Sequence, residues 1–484
     1  MPDVTRFLGA APAGDRDAAR VHSEAAQTRR PAVPDRDPPV DRRRFLGTAS
    51  ASAALGSAAA ARAADPAPAD RRPPVTNPRA TSGDSRHAPR WDELFTLTVG
   101  TDRGDLCGTD QRVIQAAVDT VARTGGGTVK LLPGTWRLRN AVTLCSNLRL
   151  VGSGPDTVLV KEPSAASKLA ADSDWYDQEI TLADAGGFRV GDGVCLRARN
   201  PHHGGATVVK RTLVARAGNR FKLDRGLREN LWAGGNPTAA TLFPLLGGEF
   251  VTNVAIEGLT LDGNKANNEE LDGNYAGCIF LQDCADVAIR RVVARDYRGD
   301  GVSWQICHDV LVEDCESRDH TGLGLHPGSG SQRPVVRNNR IVGCGIGLFF
   351  CWGVKYGLAE HNTIEDTRTA GISAGHRDTD NLIRNNTVAR SGQAGILFRA
   401  ERGPGFTGDR NTVEGNTVTD TGGEEAAAVD VQGTTANLVF RRNVLRETRG
   451  AARRAGFRLG KDTKDVTLDG NTVEGFSRAV DDRR

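Results

Sequence analysis

The sequence predicts an all-β chain wound as a right-handed parallel β-helix, a single-stranded solenoid with an N-terminal capping helix and a small β-rich insertion. Three observations predict it. An asparagine phrase recurs as Asn339-Arg340-Ile341, Asn362-Thr363-Ile364, Asn386-Thr387-Val388, Asn416-Thr417-Val418, Asn443-Val444-Leu445 and Asn471-Thr472-Val473, in steps of 23, 24, 30, 27 and 28 residues, the mark of a repeat architecture. A glycine phrase keeps the same beat: Gly301-Val302-Ser303-Trp304, Gly322-Leu323-Gly324-Leu325, Gly345-Ile346-Gly347-Leu348, Gly371-Ile372-Ser373-Ala374 and Gly395-Ile396-Leu397-Phe398. Each reads as a turn opening a short strand. Between the phrases there is no run with helical periodicity, which excludes leucine-rich, ankyrin and helical-pair repeats. Asparagine tolerates left-handed backbone, so a recurring Asn at one corner fits a tight turn, and stacked at about 4.8 Å the side chains can bond along a ladder. Cys315 falls in the same column, 24 residues before Asn339.

The elements follow in order. Residues 1–40 read as a disordered leader rich in Pro, Arg, Asp and Ala. Asp41-Arg42-Arg43-Arg44-Phe45-Leu46-Gly47 resembles a twin-arginine export signal: the weakly apolar stretch from Leu46 to Ala61 is too short and polar to span a membrane, and Ala61-Arg62-Ala63 offers a cleavage site. The expectation is a signal over 41–64, a disordered linker over 65–90 and export to a secreted, periplasmic or cell-wall location. In the cap, 91–164, Val113, Ile114, Ala117, Val118 and Val121 share one helical face that Asp110 would cap. Such a helix plugs the open end of a solenoid. Residues 165–250 break the period; Ile180-Thr181-Leu182, Phe188 to Val194, Thr212-Leu213-Val214 and Phe221 to Asp224 read as short antiparallel strands of an insertion, whose Trp175, His202, His203 and Trp232 are read first as structural residues and, as the alternative, as one wall of a groove. Residues 251–484 are the repeats.

The 484 residues carry 63 basic and 60 acidic side chains, a net charge of +3, so no bulk field draws nucleic acid or anionic membrane. The nine cysteines form no Cys-x-x-Cys pair. Cys284, Cys307 and Cys351 are expected to stack as buried free thiols inside the coil, with a disulfide or two as the alternative.

The run Ile114-Gln115-Ala116-Ala117, Gly125-Gly126-Gly127-Thr128-Val129, Pro133-Gly134-Thr135-Trp136 and Leu150-Val151-Gly152-Ser153-Gly154 resembles the N-terminal cap of the pectate-lyase-like superfamily, in its rhamnogalacturonase/epimerase-like branch. The resemblance implies the fold and says little about the reaction. The Asn-Thr-Asp, Asp-Asp, Gly-His-Gly and Arg-Ile-Lys motifs of the glycosidase branch are absent: Asn-Thr is followed by Ile364 or Val388, and His326 sits in Leu325-His326-Pro327.

Chemistry must sit on outward positions or in loops, because inward ones fill the coil. Counting from the phrase glycine, the second position is Ser303, Gly324, Gly347, Ser373 and Leu397, a floor of mostly small residues. At and after the fourth lie Gln305, His308, His326, Trp352, Lys355, His376, Arg377, Asp378, Arg399, Glu401 and Arg402; just before the phrase lie Asp296, Asp300, Asp319 and His320. Arginines hold carboxylates, an indole stacks on a sugar and histidines titrate near neutrality. The expected ligand is therefore a uronate-containing polysaccharide, bound by Arg377, Arg399, Trp352, Lys355 and Gln305. β-Elimination comes first, with His326 or His376 as base, Arg377 and Arg399 as carboxylate clamps and His320 as partner acid. Hydrolysis would use Asp378, Asp380 and Glu401, or Asp300 and Asp319; epimerisation shares the lyase groups; a non-catalytic glycan-binding or cell-surface role is the alternative of another class. Calcium is the one cofactor that the carboxylates invite, at Asp296 and Asp300 or Asp283 and Asp286. A monomer is expected.

Overall fold

The structure, a computed structural model, describes residues 90–450 and 452–484. The leader, the signal and almost all of the linker lie outside the described residues.

Three parallel sheets of 13, 11 and 11 strands run the length of the molecule. Each coil gives one strand to each: Ala285–Arg290 to the first, Val293–Arg295 to the second and Asp300–Gln305 to the third, before His308–Glu313 begins the next coil. Coils stack in register, with Val287 on Val310, Ala294 on Ser317 and Val302 on Leu325. Short β-branched strands suit this arrangement because every backbone group is paired above and below while alternate side chains fill the interior. The chain is a right-handed parallel β-helix. Among the described residues no helix is long and apolar enough to cross a membrane.

Helix α1 (Gln111–Arg123) closes the N-terminal end. The Asp110 carboxylate accepts the Arg112 N–H as an N-cap, and Ile114, Ala117, Val118 and Val121 are buried against the first strands of the coil; Val113 lies at the edge of that contact.

The asparagine ladder stands at the corner between the first and second sheets. Asn339, Asn362, Asn386, Asn416 and Asn443 each donate Nδ2 to the next ladder Oδ1 at 2.9–3.0 Å, and Cys315 N–H donates to Asn339 Oδ1 at 2.9 Å. Four side-chain bonds meet at Asn386: Oδ1 accepts from Asn362 N and Nδ2, while Nδ2 donates to Ala359 O and Asn416 Oδ1. The left-handed residue of the corner is the one before the asparagine, as at Asn338 (φ 56°), His361 (φ 55°), Asn385 (φ 53°) and Arg442 (φ 53°). The expectation that the ladder asparagine itself takes that conformation is thus corrected: it must aim inward, so its neighbour makes the turn. A second ladder, Asn381 Nδ2 to Asn411 Oδ1 at 3.0 Å, braces the turn from the third sheet to the first.

All nine cysteines are free, seven of them buried. Cys284 N–H meets Cys307 Sγ at 3.4 Å, but the next member of that column is Ser331, whose Oγ accepts from Cys307 N. Cys351 therefore does not join the stack: Lys355 N–H donates to Ser331 O, so the column passes to Val354, and Cys351 stands three residues earlier at the start of the 350–357 turn.

The insertion is a six-stranded antiparallel sheet around its own core of Leu196, Leu213, Phe188 and Phe221. Its longest strand is Ala206–Ala217; the strand expected from Phe188 begins only at Gly193, because Phe188 and Asp192 close turns onto Ala185 and Arg189. Arg139 anchors it through Asp192 at 2.7 Å. The coil resumes at Leu246–Glu249.

Candidate functional site

The third sheet carries the chemistry, and strand pairing fixes which side chains face out of it. Ser303 pairs with His326, Phe349 with Ser373, Ser373 with Leu397 and Leu397 with Asp430. The outward column is thus Ser303, His326, Phe349, Ser373, Leu397. Gly324 and Gly347, expected on that floor, instead stack under Gly301 and Gly371, and a Cβ on Gly324 would lie 2.5 Å from Ile341 Cγ2. Glycine recurs two residues apart in both phrases, and only the second glycine of each can take this crowded inward place. The floor is consequently built of an imidazole and a phenyl ring between two hydroxyls.

Loops of unequal length wall this floor. On one side, Lys210 of the insertion lies over the Phe280 ring at 4.0 Å, and the segment 263–276 covers Asp300, with Gly273 packed on its carboxylate so closely that a Cβ would lie 1.6 Å from Oδ2. On the other side stand the turns 350–357, 375–381 and 399–411.

His326 is 3 % exposed. Its Nδ1 donates to Asp300 Oδ2 at 2.8 Å, with Ser303 Oγ at 3.2 Å, while Asp300 Oδ1 accepts Leu323 N–H at 2.8 Å and Ser303 Oγ donates to Gly273 O at 2.6 Å. Nε2 has no partner. Burial alone would lower the imidazole, but the Asp300 carboxylate and the Cys351 sulfur beside the ring raise its pKa to about 10; burial also pushes the Asp300 carboxyl up. The two shifts have opposite origins: Asp300 raises the imidazole against its burial, whereas His326 holds the Asp300 carboxyl down against the push of burial, so the proton stays on the imidazole through neutral pH.

Phe349 joins this dyad to a second cluster. Its ring meets His326 edge-on at 5.5 Å and lies under the Arg399 guanidinium at 4.3 Å. Arg399 donates to Ser373 Oγ at 2.8 Å, Phe350 O at 3.0 Å and Asp378 Oδ2 at 3.3 Å, yet its Nε has no hydrogen-bond acceptor and Glu401 stands off at 3.6 Å. Glu401 accepts His376 N–H at 2.9 Å and lies 3.4 Å from His376 Nδ1. The His376 ring stacks on Trp352 at 4.6 Å. Its Nε2 has no protein partner among the described residues. Trp352 is 40 % exposed.

Asp378 is fully buried and accepts from Gly353, Val354 and Gly375 N–H besides Arg399. Burial pushes its carboxyl up, opposed by Arg399 and those amides. It is a latch for three turns, with no lone pair turned to the groove. His320, expected on the outward patch, faces into the coil: Nδ1 accepts Tyr297 N–H at 3.1 Å, Nε2 lies 3.1 Å from Ala294 O, and burial drives its pKa down to about 3. It is a neutral corner brace. Lys355 belongs to a ladder of single bridges, Gln332 to Lys355 to Thr379, at the turn towards the first sheet; His308 sits in the same ladder. Gln305 borders the dyad, its Nε2 3.3 Å from Ser303 Oγ. Arg377 is exposed over the Phe406 ring at 4.1 Å, and Arg402 is exposed on the same loop.

The carboxylates considered for calcium do not converge. Asp300 is spent on His326 and Leu323, Asp296 pairs with Lys265 at 3.6 Å, and among the described residues no group of three or more His, Cys, Asp or Glu is arranged to hold a metal ion. Asp380 is likewise engaged, with Arg410 at 2.8 Å, and Asp319 with Arg318 at 2.9 Å.

Comparison with known proteins agrees with this architecture. Residues 277–445 match the family described as right handed beta helix region. Mannuronan C5-epimerase AlgE2 of Azotobacter vinelandii is 22% identical over 304 residues, 61% of this chain and 22% of the relative, and AlgE5 of the same organism matches to the same extent. The chain thus spans under a quarter of the length of these relatives. The solved A-module of Azotobacter vinelandii mannuronan C-5 epimerase AlgE4 superposes with a TM-score of 0.52 at 17% identity, over 79% of this chain and 97% of that module, a likeness of fold.

The dyad with Asp300 and the aromatic floor at Phe349 were missed by sequence reasoning. Ser303 and His326 are 23 residues apart, the length of one coil, so a correctly aligned repeat would have brought them together; Asp300 sits at the strand's first position and had been weighed only as a hydrolytic carboxylate or calcium ligand.

Proposed function

We propose that the groove over the third sheet binds a uronate polysaccharide and takes the C5 proton from one sugar, with epimerisation at C5 as the outcome. The carrying observation is a pair of unpartnered donors, His326 Nε2 and Arg399 Nε, on either side of the Phe349 ring. Two cationic donors that make no hydrogen bond in a shielded floor, with Glu401 standing 3.6 Å off Arg399 Nε, suit one carboxylate that would accept from both.

The chemistry follows from the charges. Neutralising the uronate carboxylate acidifies C5–H, because the electron pair left on removing that proton moves into the C5–C6 bond and onto the carboxylate oxygens. Arg399, held in plane by Ser373, Phe350 and Asp378, and protonated His326 receive that charge. His376 is the base: Glu401 orients its Nδ1, Trp352 fixes the ring, and Nε2 is free to accept the proton. Delivery of a proton from solvent water to C5 on the opposite face, with the one taken by His376 released to solvent, inverts the centre. Departure of the C4 oxygen would complete a β-elimination instead, and both share the first step. The mannuronan C5-epimerase relatives favour inversion. Hydrolysis fits less well, since Asp300, Asp378 and Asp380 are already paired. Twin-arginine export remains part of the proposal on the strength of Asp41 to Gly47.

The test is incubation with polymannuronate, polyguluronate and polygalacturonate in heavy water, followed by NMR. Deuterium at C5 with altered sugar stereochemistry is the expected result; unsaturated ends would reassign the outcome to elimination. Neither deuterium nor unsaturation on any of the three polymers would overturn the reading.

A further inference from the structure

The insertion shows an aromatic surface whose ring contacts and side-chain hydrogen bonds include no residue of the groove floor. Trp175 is 52% and Tyr176 65% exposed. Their rings meet edge to face at 6.2 Å. The Asp174 carboxylate ties them to a third ring, accepting Tyr176 Oη–H at 2.9 Å and Trp232 Nε1–H at 2.8 Å, and Trp232 in turn meets His202 edge-on at 5.2 Å. Arg228 places its guanidinium 5.9 Å from the Trp175 ring centroid. Backbone bonds join the two loops: Arg228 N–H donates to Trp175 O at 2.7 Å and Trp175 N–H to Asn230 Oδ1 at 2.9 Å.

Such a cluster is costly to leave in water. In a chain with only 5% aromatic residues and six tryptophans, two tryptophans and a tyrosine gather on one patch of a small antiparallel sheet. The insertion's own core does not use them; it closes around Phe188 and Phe221. Nor are the rings loose, because Asp174 holds the polar ends of two of them and both loops are pinned by main-chain bonds. A rigid, exposed π-face rimmed by a carboxylate, a guanidinium and an imidazole is complementary to the axial C–H face of a pyranose ring whose hydroxyls reach the polar rim. A protein or lipid partner would call for a wider apolar area without that rim.

We propose that Trp175 and Tyr176, with Trp232, His202 and Arg228 around them, form a carbohydrate-binding surface separate from the groove, whose occupant is an extended glycan chain stacked on the two exposed rings. The surface would hold a polymer to the protein while the groove works on another part of it, and it does not require the groove to be catalytic. Linking two weak sites on one polymer raises the overall affinity by effective concentration, without any new contact in either site.

The full chain, run through native gels containing polymannuronate, polygalacturonate or xylan, tests this. At least one polymer retards the wild type, and Trp175→Ala with Tyr176→Ala weakens that retardation about tenfold while the thermal midpoint and the rate on short uronate oligomers are kept. Tyr176→Ser alone, at the most exposed ring, guards against loss of folding in the double variant and should give a smaller loss in the same gel. Retardation of the double variant equal to wild type, or a wild type retarded by no polymer, overturns the inference. Loss of retardation in a chain that turns over no uronate would leave the surface standing and remove the groove chemistry.

Discussion

The asparagine corner and the third-sheet groove are built on the same coils, yet they treat polar atoms in opposite ways. At Asn386 every side-chain lone pair and N–H is used by the coils above and below. Over the groove, His326 Nε2 and Arg399 Nε are buried and make no hydrogen bond, Arg399 Nε having only the Glu401 carboxylate at 3.6 Å. A buried polar atom left unpaired costs about 1–3 kcal/mol, so each of the two would gain from an acceptor that a ligand brings to the groove. The contrast holds between these two places and is not a rule for the chain, because the Trp136 and Trp304 indole N–H groups, deep in the coil, also lack acceptors.

The largest test of that contrast is to remove a groove imidazole. His376→Ala should lower the rate on a uronate polymer about 10²–10⁴-fold with little change in the thermal midpoint; His326→Asn should lower the rate as far and also cost stability, because it leaves the buried Asp300 carboxylate without its partner. His326→Asn also isolates a pH effect. The folded pKa of about 10 exceeds the ordinary 6.5, so the pair's stabilisation is full below the unfolded value and is lost as pH rises towards the folded one. The stability difference between wild type and variant should therefore shrink from pH 6.5 to about 10; denaturant titrations across that window measure it. Taking the difference matters because Lys161, buried and lowered to about 7, gives the opposite slope and cancels between the two proteins.

The scaffold side of the comparison breaks differently. Asn386→Ala removes four hydrogen bonds and strands two backbone groups, Asn362 N–H and Ala359 O, in the interior. A loss of about 2–4 kcal/mol in unfolding free energy is expected, read by chemical denaturation, with the rate per folded molecule unchanged. A drop in that rate instead would show that the ladder sets the groove's geometry as well as its stability. Arg399→Met stands between the two cases: it should slow turnover and also leave Asp378 as an uncompensated buried charge, at a cost of about 3–5 kcal/mol.

How much of this was legible in the sequence follows from the same distinction. The ladder was readable because each coil solves an identical problem with an identical residue, and Cys315 could be placed in it by spacing alone. The cap was readable because Ile114, Ala117, Val118 and Val121 repeat with a helical period. The groove was less so. Its residues differ from coil to coil, and their direction depends on a register that the paired glycines at 322 and 324, and at 345 and 347, leave ambiguous by two residues. His320 looked outward because it stands beside the same turn as the true outward residues, although its ring braces Tyr297 and Ala294. Asp300 became a partner of His326 only once coils were paired and the 263–276 segment was folded over it, and that segment has no repeat to announce it.

The smallest effect sharpens the comparison at its edge. Trp352 has left-handed backbone (φ 63°), stacks on His376 and keeps 40 % of its surface in water, so it belongs neither to the saturated scaffold nor to the reacting groups. Its place suits a ring face that a sugar would extend from the His376 stack. Removing it as Trp352→Ala forfeits a stack of about 0.5–1.5 kcal/mol, which should raise KM several-fold and leave kcat nearly as it was if the indole only binds. Should kcat fall as well, the indole is also what holds His376 in line for the C5 proton, and steady-state kinetics on one polymer of defined length separates the two.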